Sequence, residues 1–362
     1  MANILVLGVK VPFTVGGQDV LVASLLKELR ARGHRADVVE IPYTATPKEG
    51  LLNQAAIWRS LPFDTFAGHA VDLIIPTKFP SYFARHPRKS LWLVHQHRPI
   101  YDLYGGRYSD ISDDPRDEQL RRTLVDADTR MISECQYISG ISQNVIDRLW
   151  RFNGIGGDVL YPPLALGTRY HVNPAENYIL SVGRICSIKR VDMMIKALPI
   201  VHNFVKLKVV GAPDEPHVME YLKNEIDKHH LWERVEFVGR VSDDELLDLY
   251  SRSLAVYYAP HNEDYGYVTL EGMASSKPVI TAHDSGGVLE FIKHEVSGLV
   301  VEPTTDAIGH AANRLIENRE FAASLGCTGR AYIDSTGMLQ SGWNSIIDGL
   351  LSPLPTDLRE AA

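Results

Sequence analysis

Short apolar runs alternate with longer amphipathic stretches from one end of the chain to the other. The runs are bounded by glycine, proline and polar residues, which predicts buried strands. The stretches repeat apolar residues every three or four positions, which predicts helices. In the first half the pattern predicts strands at Asn3–Val9, Ala36–Ile41, Asp72–Pro76, Leu91–His95 and Gln136–Ile141. Helices are predicted at Asp19–Arg32, Leu51–Ser60, Asp117–Glu134 and Gln143–Phe152. The segment from Tyr161-Pro162-Pro163 to Asn173-Pro174 is rich in proline and weak in period, so it predicts a linker. The alternation then restarts, with strands at Tyr178–Val182, Lys206–Val210, Glu236–Val238, Leu254–Tyr258, Pro278–Thr281 and Gly298–Val301 and helices between them. A last helical stretch, Met338 to Leu351, contains Trp343 and is expected to pack back across the first domain.

Strand–helix alternation throughout predicts an α/β fold built on parallel sheets. A length of 362 residues favours two domains over one. The expected division is 1–168, 169–336 and a returning C-terminal helix in 337–362. Two doubly wound domains in tandem would set two carboxyl-edge crevices facing each other.

A net charge of −8 argues against broad nucleic-acid binding. Cys135, Cys186 and Cys327 are far apart and lack metal spacing, as expected of thiols in a reducing compartment. The start, MANILVLGV, lacks a basic region and reads as a first strand, not a leader. No apolar stretch is long enough to span a bilayer. The expected location is therefore cytoplasmic. Peripheral contact with the inner face of a membrane stays open, because Lys27, Arg30, Arg32 and Arg35 cluster near one helix end. Those charges equally complement the helix dipole.

The densest chemical signal is residues 254–302. An apolar run, Leu254 to Ala259, ends in a polar loop, and Gly266 opens a helix predicted over Tyr267 to Ser276. Glu263 lies in that loop and Glu271 one turn inside the helix. A second strand then leads to Gly286-Gly287 and a further predicted helix. A helix N-terminus suits phosphate, and carboxylates beside it accept bonds from several hydroxyls. Phosphate plus a polyol describes a sugar nucleotide. Helix capping by Glu263 and Asp264 explains the acids but not Gly266, Tyr265 or Gly286-Gly287. Asp284 and Glu290 read as a cap and a surface residue. Three further places carry chemistry. Gly16-Gly17 separates the first strand from a helix, without the spacing of a dinucleotide fingerprint. His95 ends a strand, with Gln96, His97 and Arg98 following. Arg184 and Lys189, in SVGRICSIKR, bracket a loop at another strand end, where two cations would neutralise a leaving diphosphate.

At this point the residues carry a family resemblance. EDYGYVTLE at 263–271 resembles the E-x-F-G-x-x-x-x-E motif of retaining GT-B glycosyltransferases of family 4. GRICSIK at 183–189 is similar to that family's G-R-x-x-x-x-K, and SKPVIT, DSGGVLE and SGLVVEP resemble its usual continuation. The resemblance implies two Rossmann-like domains, with the donor bound chiefly by the second. It implies catalytic roles for Arg184, Lys189, Glu263 and His95. Glu271 would bind the ribose and Glu263 the transferred sugar, while His95 would contact the sugar near its hydroxymethyl group. Backbone N–H groups at Gly266, Tyr267 and Val268 would meet sugar or phosphate oxygens. Asp264, Tyr265, Gly16, Gly17 and Gly183 fall on the donor side, and Gly239, Arg240 and Val241 line the base pocket. Tyr265 replaces the family's phenylalanine, and Gln96 stands where an aspartate is common.

The expected activity is retaining transfer from a UDP- or GDP-sugar to a hydroxyl of a carbohydrate, lipid-linked or small-molecule acceptor. Synthesis of cell-surface polysaccharide, lipopolysaccharide or glycolipid fits it. No metal and no other cofactor is expected, and no nucleic-acid partner. The stretch from Gln96 to Arg122 is peculiar enough to shape the acceptor site. The competing readings are a sugar-nucleotide epimerase or hydrolase on the same fold, and a catalytically silent sugar-nucleotide-binding protein.

Overall fold

The computed structural model describes residues 1–14, 16–339 and 342–359. The chain forms two compact units, Met1–Ala165 with Gly342–Ala362, and Leu166–Ser341. In the first unit the elements run β1 (Asn3–Lys10), α1 (Gly17–Ala31), β2 (Arg35–Pro42), α2 (Leu51–Ser60), β3 (Thr65–Phe66), β4 (His69–Ala70), β5 (Leu73–Pro76), β6 (Ser90–Leu93), α3 (Pro115–Ser133), β7 (Tyr137–Gly140), α4 (Gln143–Asn153) and β8 (Asp158–Val159). Two parallel sheets, β2-β1-β5 and β6-β7-β8, lie side by side, joined by the parallel bridges Ile74–Lys89 and Lys78–His95. Every residue of β5 and β6 is buried. Strands covered on both faces need such unbroken runs. Helix α4 begins where the Ser142 hydroxyl accepts from Val145 N–H and ends at Gly154, left-handed at φ 66°.

The second unit holds β9 (Tyr178–Val182), α5 (Val191–Ala197), β10 (Lys206–Val210), α6 (Pro216–Lys228), β11 (Val235–Gly239), α7 (Asp243–Arg252), β12 (Ala255–Tyr257), α8 (Tyr267–Ala274), β13 (Val279–Ala282), β14 (Gly298–Val301), α9 (Thr305–Glu317) and α10 (Arg319–Thr336). Its six strands form one parallel sheet ordered β11-β10-β9-β12-β13-β14. The order reverses between β9 and β12, which creates a crevice at their carboxyl ends. The core joins Ile179, Leu207, Val209, Tyr257 and Ile280 of the strands to Ile195, Leu222, Ile308 and Leu315 of the flanking helices. Helix α7 starts with a capping box, Ser242 accepting from Glu245 N–H and Glu245 reaching back to Ser242 N–H.

The chain ends with α11 (Trp343–Leu350) and α12 (Thr356–Arg359). Helix α11 sits on the first unit, where Trp343 meets Trp92 edge-on with ring centroids 6.0 Å apart. The predicted helix from Met338 is shorter than expected, because Gly337 closes α10 at φ 68°; Gln340 and Ser341 lie outside the described residues. The helix predicted after Gly286-Gly287 is a correction: only a 3-10 turn, Gly287–Glu290, forms there. The glycines are spent on a tight backbone approach, and Phe291 and Ile292 turn into the core at 4% and 6% exposure.

Candidate functional site

The loops that leave β9, β12 and β13 at their carboxyl ends build the site of the second unit. After β12, the loop of Asn262 and Glu263 lies against the loop after β13. Asn262 N–H donates to Asp284 O at 2.7 Å, Glu263 N–H to Ser285 O at 3.0 Å, and Gly287 N–H to Glu263 O at 2.7 Å. This contact explains the paired glycines. A Cβ on Gly286 would stand 2.6 Å from Asn262 Oδ1, and one on Gly287 would stand 2.4 Å from Asp264 O. Gly266 is equally constrained. It opens α8 at φ 92°, and a Cβ there would meet Val288 Cγ2 at 2.7 Å. A glycine cap supplies no side-chain acceptor. The first-turn N–H groups of α8 and its positive dipole end therefore suit an external anion.

Glu263 pairs with Lys189, and Tyr258 ties the two together. Lys189 Nζ donates to Tyr258 Oη at 3.0 Å, and the Tyr258 hydroxyl donates to Glu263 Oε2 at 2.9 Å. Burial disfavours the ammonium, but the Glu263 charge and the two hydrogen bonds outweigh it and hold the Lys189 pKa above its ordinary value. Arg184, about half exposed, pairs with Asp214 in the loop after β10. Gly183 lies at φ 131° with open space where a side chain would begin.

Glu271 is partly buried on α8. Tyr250 Oη donates to its Oε2 at 2.7 Å and Tyr170 Oη to its Oε1 at 3.4 Å. Burial raises its pKa, and the two hydrogen bonds only partly offset this. Asp264 is buried, and Tyr265 is packed edge-on between Tyr267 and Phe291 at centroid distances of 4.9 and 5.3 Å. Val268 is buried on the first turn of α8. At the end of β11, Gly239 adopts φ 80°; just beyond it Val241 is half-buried and Arg240 is exposed.

Five contributors escaped the sequence reading: Tyr170, Arg190, Asp214, Tyr250 and Tyr258. Arg190 also corrects the reading of Asp284 as a cap. Its guanidinium takes Asp284 bidentately at 2.7 and 2.6 Å and donates to the carbonyls of Ala259 and Pro260. His261 Nδ1 meets the same carboxylate at 3.2 Å. Arg190, 5% exposed, thus fastens the start of the Glu263 loop to the loop after β13. The signal available was the Lys189-Arg190 pair itself, but adjacent cations do not say which one turns inward.

The first unit places its candidates at the carboxyl edge of its own sheets. His95 follows β6, and its Nδ1–H donates to Gln96 O at 2.7 Å, which fixes the tautomer. Gln96 is buried and donates to Asn153 Oδ1 at 2.6 Å. His97 is buried against Phe79, with Nδ1 3.0 Å from Tyr43 Oη; burial pulls its pKa down to about 4, so the ring is neutral. Gly16 caps α1, and its N–H donates to Asp19, which also pairs with Lys10. That N–H already has an acceptor, while Gly17 begins the helix. Among the described residues no group of three or more His, Cys, Asp or Glu is placed to hold a metal ion, and no helix is long and apolar enough to cross a membrane.

The chain is similar to known proteins. Residues 169–332 match the family described as glycosyl transferases group 1. An uncharacterized glycosyltransferase of Methanocaldococcus jannaschii is 34% identical over 154 residues, covering 41% of this chain and 38% of that protein. The human alpha-1,3/1,6-mannosyltransferase ALG2 is 31% identical over 203 residues, covering 49% of this chain and 48% of its own length. The chain thus spans less than half of either relative. The Anabaena protein HepE, solved in complex with UDP and glucose, superposes with a TM-score of 0.73 over 96% of this chain and 99% of that one, at 18% identity. The match to the glycosyl transferases group 1 family thus lies in the second unit, and the fold of the chain is that of the GT-B glycosyltransferases.

Proposed function

We propose that the chain is a retaining glycosyltransferase. It moves a sugar from a nucleoside diphosphate sugar, UDP- or GDP-linked, to a hydroxyl of a carbohydrate, lipid-linked or small-molecule acceptor. Polysaccharide, lipopolysaccharide or glycolipid synthesis is the setting that suits it. One observation carries the reading. A carboxylate held by two tyrosines, Glu271, shares a glycine-opened helix N-terminus with a loop bearing an ion-paired Glu263 and Lys189. This edge offers acceptors for hydroxyls and donors for phosphate. The UDP held by HepE supports a nucleotide donor.

In this reading the ribose hydroxyls donate to Glu271, and the N–H groups of Gly266, Tyr267 and Val268 meet phosphate or sugar oxygens. Glu263 accepts from hydroxyls of the transferred sugar. Lys189 has three N–H donors. Glu263 and Tyr258 take two, and the third serves a phosphate oxygen. Arg184 uses part of its guanidinium on Asp214 and presents the rest. The acceptor oxygen bonds to the anomeric carbon on the face from which the diphosphate leaves. The carbon–oxygen bond to phosphate breaks, and the acceptor proton passes to the departing phosphate oxygen. No side chain need act as nucleophile or base. Charge grows on the diphosphate as that bond breaks, so Arg184 and Lys189 act most strongly in the transition state. His95, whose Nδ1–H goes to the Gln96 carbonyl, is the first-unit residue proposed to contact the sugar near its hydroxymethyl group.

The test starts with calorimetric titration of UDP and GDP. Donor sugars are then incubated with an acceptor panel, and the anomeric configuration of donor and product is read by NMR. Transfer with retention, undiminished by a chelator, is the expected result. An inverted product overturns the stereochemical assignment. Free sugar or an epimer formed without acceptor makes the chain a hydrolase or epimerase, and binding without turnover makes it a silent binding protein.

A further inference from the structure

Glu271 reaches its place at a cost. Its carboxylate sits among the rings of Tyr170, Tyr250 and Tyr267, and burial favours the neutral acid. Tyr250 lies on α7 and is fully buried, while Tyr170 is 3% exposed in the segment leading to β9. Each donates to a different carboxylate oxygen. Arg330 of α10 secures this geometry, donating to the carbonyls of Tyr170 at 3.3 Å and of Ala274, the last residue of α8, at 2.7 Å. A carboxylate oxygen has two lone-pair directions. With one tyrosine on each oxygen, each keeps one acceptor position. Two acceptor positions thus remain, one on each oxygen, and a vicinal diol brings two O–H donors.

We propose that Tyr250 and Tyr170 are positioning residues that orient the Glu271 carboxylate to accept both hydroxyls of a ribose, making the site selective for ribonucleoside diphosphates over their 2′-deoxy forms. The inference rests on the donor-site reading of Glu271. A hydrogen bond to the ionised form favours that form. Without the tyrosine donors the carboxyl takes a proton at higher pH, and a protonated carboxyl turns one acceptor into a donor. The groups that set this balance are Tyr250 and the more distant Asp243 of α7, Tyr170 before β9, and Tyr267 on α8 itself; the Asp243 charge also disfavours ionisation.

The experiment titrates UDP and 2′-deoxy-UDP, and GDP and 2′-deoxy-GDP, into the parent, Tyr250→Phe and Tyr170→Phe from pH 5 to 9. Circular dichroism and thermal melting establish that each variant is folded. The parent should prefer the ribonucleotide by at least about tenfold, the worth of one hydrogen bond to a charged group. Tyr250→Phe should reduce that ratio to about two- or threefold and move the acid limit of binding upward in pH. Tyr170→Phe, with the longer bond, should do the same more weakly; it carries the test alone should Tyr250→Phe not fold. A folded variant with an unchanged ratio and an unchanged pH profile overturns the role of the tyrosines while leaving the donor site intact. A parent that binds no nucleotide, or binds ribo and deoxy forms alike, overturns the donor-site reading itself.

Discussion

Lys189 and Glu263 form an ion pair beneath a shared tyrosine hydroxyl, each side chain less than one-fifth exposed. The residue assigned to the diphosphate and the residue assigned to the sugar are thus one electrostatic unit. The position of each depends on the charge of the other. A change at either should report in stability as well as in chemistry.

Lys189→Ala leaves the Glu263 carboxylate without its counter-charge. The expected loss is about 3 kcal/mol, toward the lower end for an orphaned buried charge. Lys189→Met with Glu263→Gln removes both charges and should recover most of it. Urea denaturation of the parent, Lys189→Met, Glu263→Gln and the double variant measures the coupling. A double variant no more stable than the sum of the single losses would refute it.

The same lysine should matter more to the reaction than to binding. In the proposed reaction its third donor would meet a diphosphate whose charge rises as the sugar leaves. Lys189→Ala is expected to lower the single-turnover rate on the order of a hundred- to thousandfold, with a much smaller change in donor Kd. Lys189→Arg should restore only part, since a planar guanidinium presents its donors differently. A loss confined to affinity would make Lys189 a binding residue alone.

Much of this fold is written in local pattern. Fully buried parallel strands such as β5, β6 and β13 are mostly apolar, and such runs mark them in the sequence. Gly266 is legible for a related reason, since a glycine at a strand–loop–helix junction signals a conformation that other residues resist. The site's supports are not local. Tyr250 lies 21 positions before Glu271 and Tyr170 lies 101 before it. Arg190 finds Asp284 94 positions away. No period or spacing encodes such pairings; only the order of strands in the sheet brings them together. The false helix after Gly286-Gly287 has the same origin: GVLEFIKH has helical period, and the neighbouring Glu263 loop claims its backbone instead.

Asp284→Ala should destabilise the second unit by about 3–5 kcal/mol, because it strands a guanidinium that is 5% exposed. The loosened segment should be Ala259 to Glu263, whose first two carbonyls Arg190 holds. Hydrogen exchange read by mass spectrometry should show faster exchange there and at Ser285 to Gly287. Protection unchanged in both loops would mean that the backbone bonds alone hold them.

Gly266→Ala forces a Cβ to 2.7 Å from Val288 at φ 92°. Two penalties add, left-handed strain of about 1 kcal/mol and a clash with a buried side chain of about 1–3 kcal/mol. Val288→Ala should relieve the clash and not the strain. The double variant is therefore expected between the parent and Gly266→Ala once the cost of Val288→Ala alone is subtracted. Thermal unfolding of the three variants decides it, and strict additivity would show that the side-chain clash is not felt.

The first unit carries its own titrating group. Asp128 is fully buried, accepts from Tyr101 Oη at 2.6 Å through Oδ2, and has no hydrogen-bond partner at Oδ1 among the described residues. Burial pushes its pKa up to about 7, against the bond from Tyr101 that pulls it down. In the unfolded chain the same carboxyl titrates near 3.9. Between about pH 4 and pH 7 the native state therefore holds a proton that the unfolded state has lost. Its stability should fall as pH rises through that window and level off above it. The fall is at most about 4 kcal/mol, the shift taken at 1.36 kcal/mol per unit. Asp128→Asn keeps an acceptor for Tyr101 and cannot ionise. The variant should differ little from the parent at pH 4.5 and exceed it at pH 8. The difference between the two in urea unfolding, taken at each pH, cancels every other titrating group. A difference that stays flat from pH 4.5 to 8 would show that Asp128 keeps an ordinary carboxylate pKa.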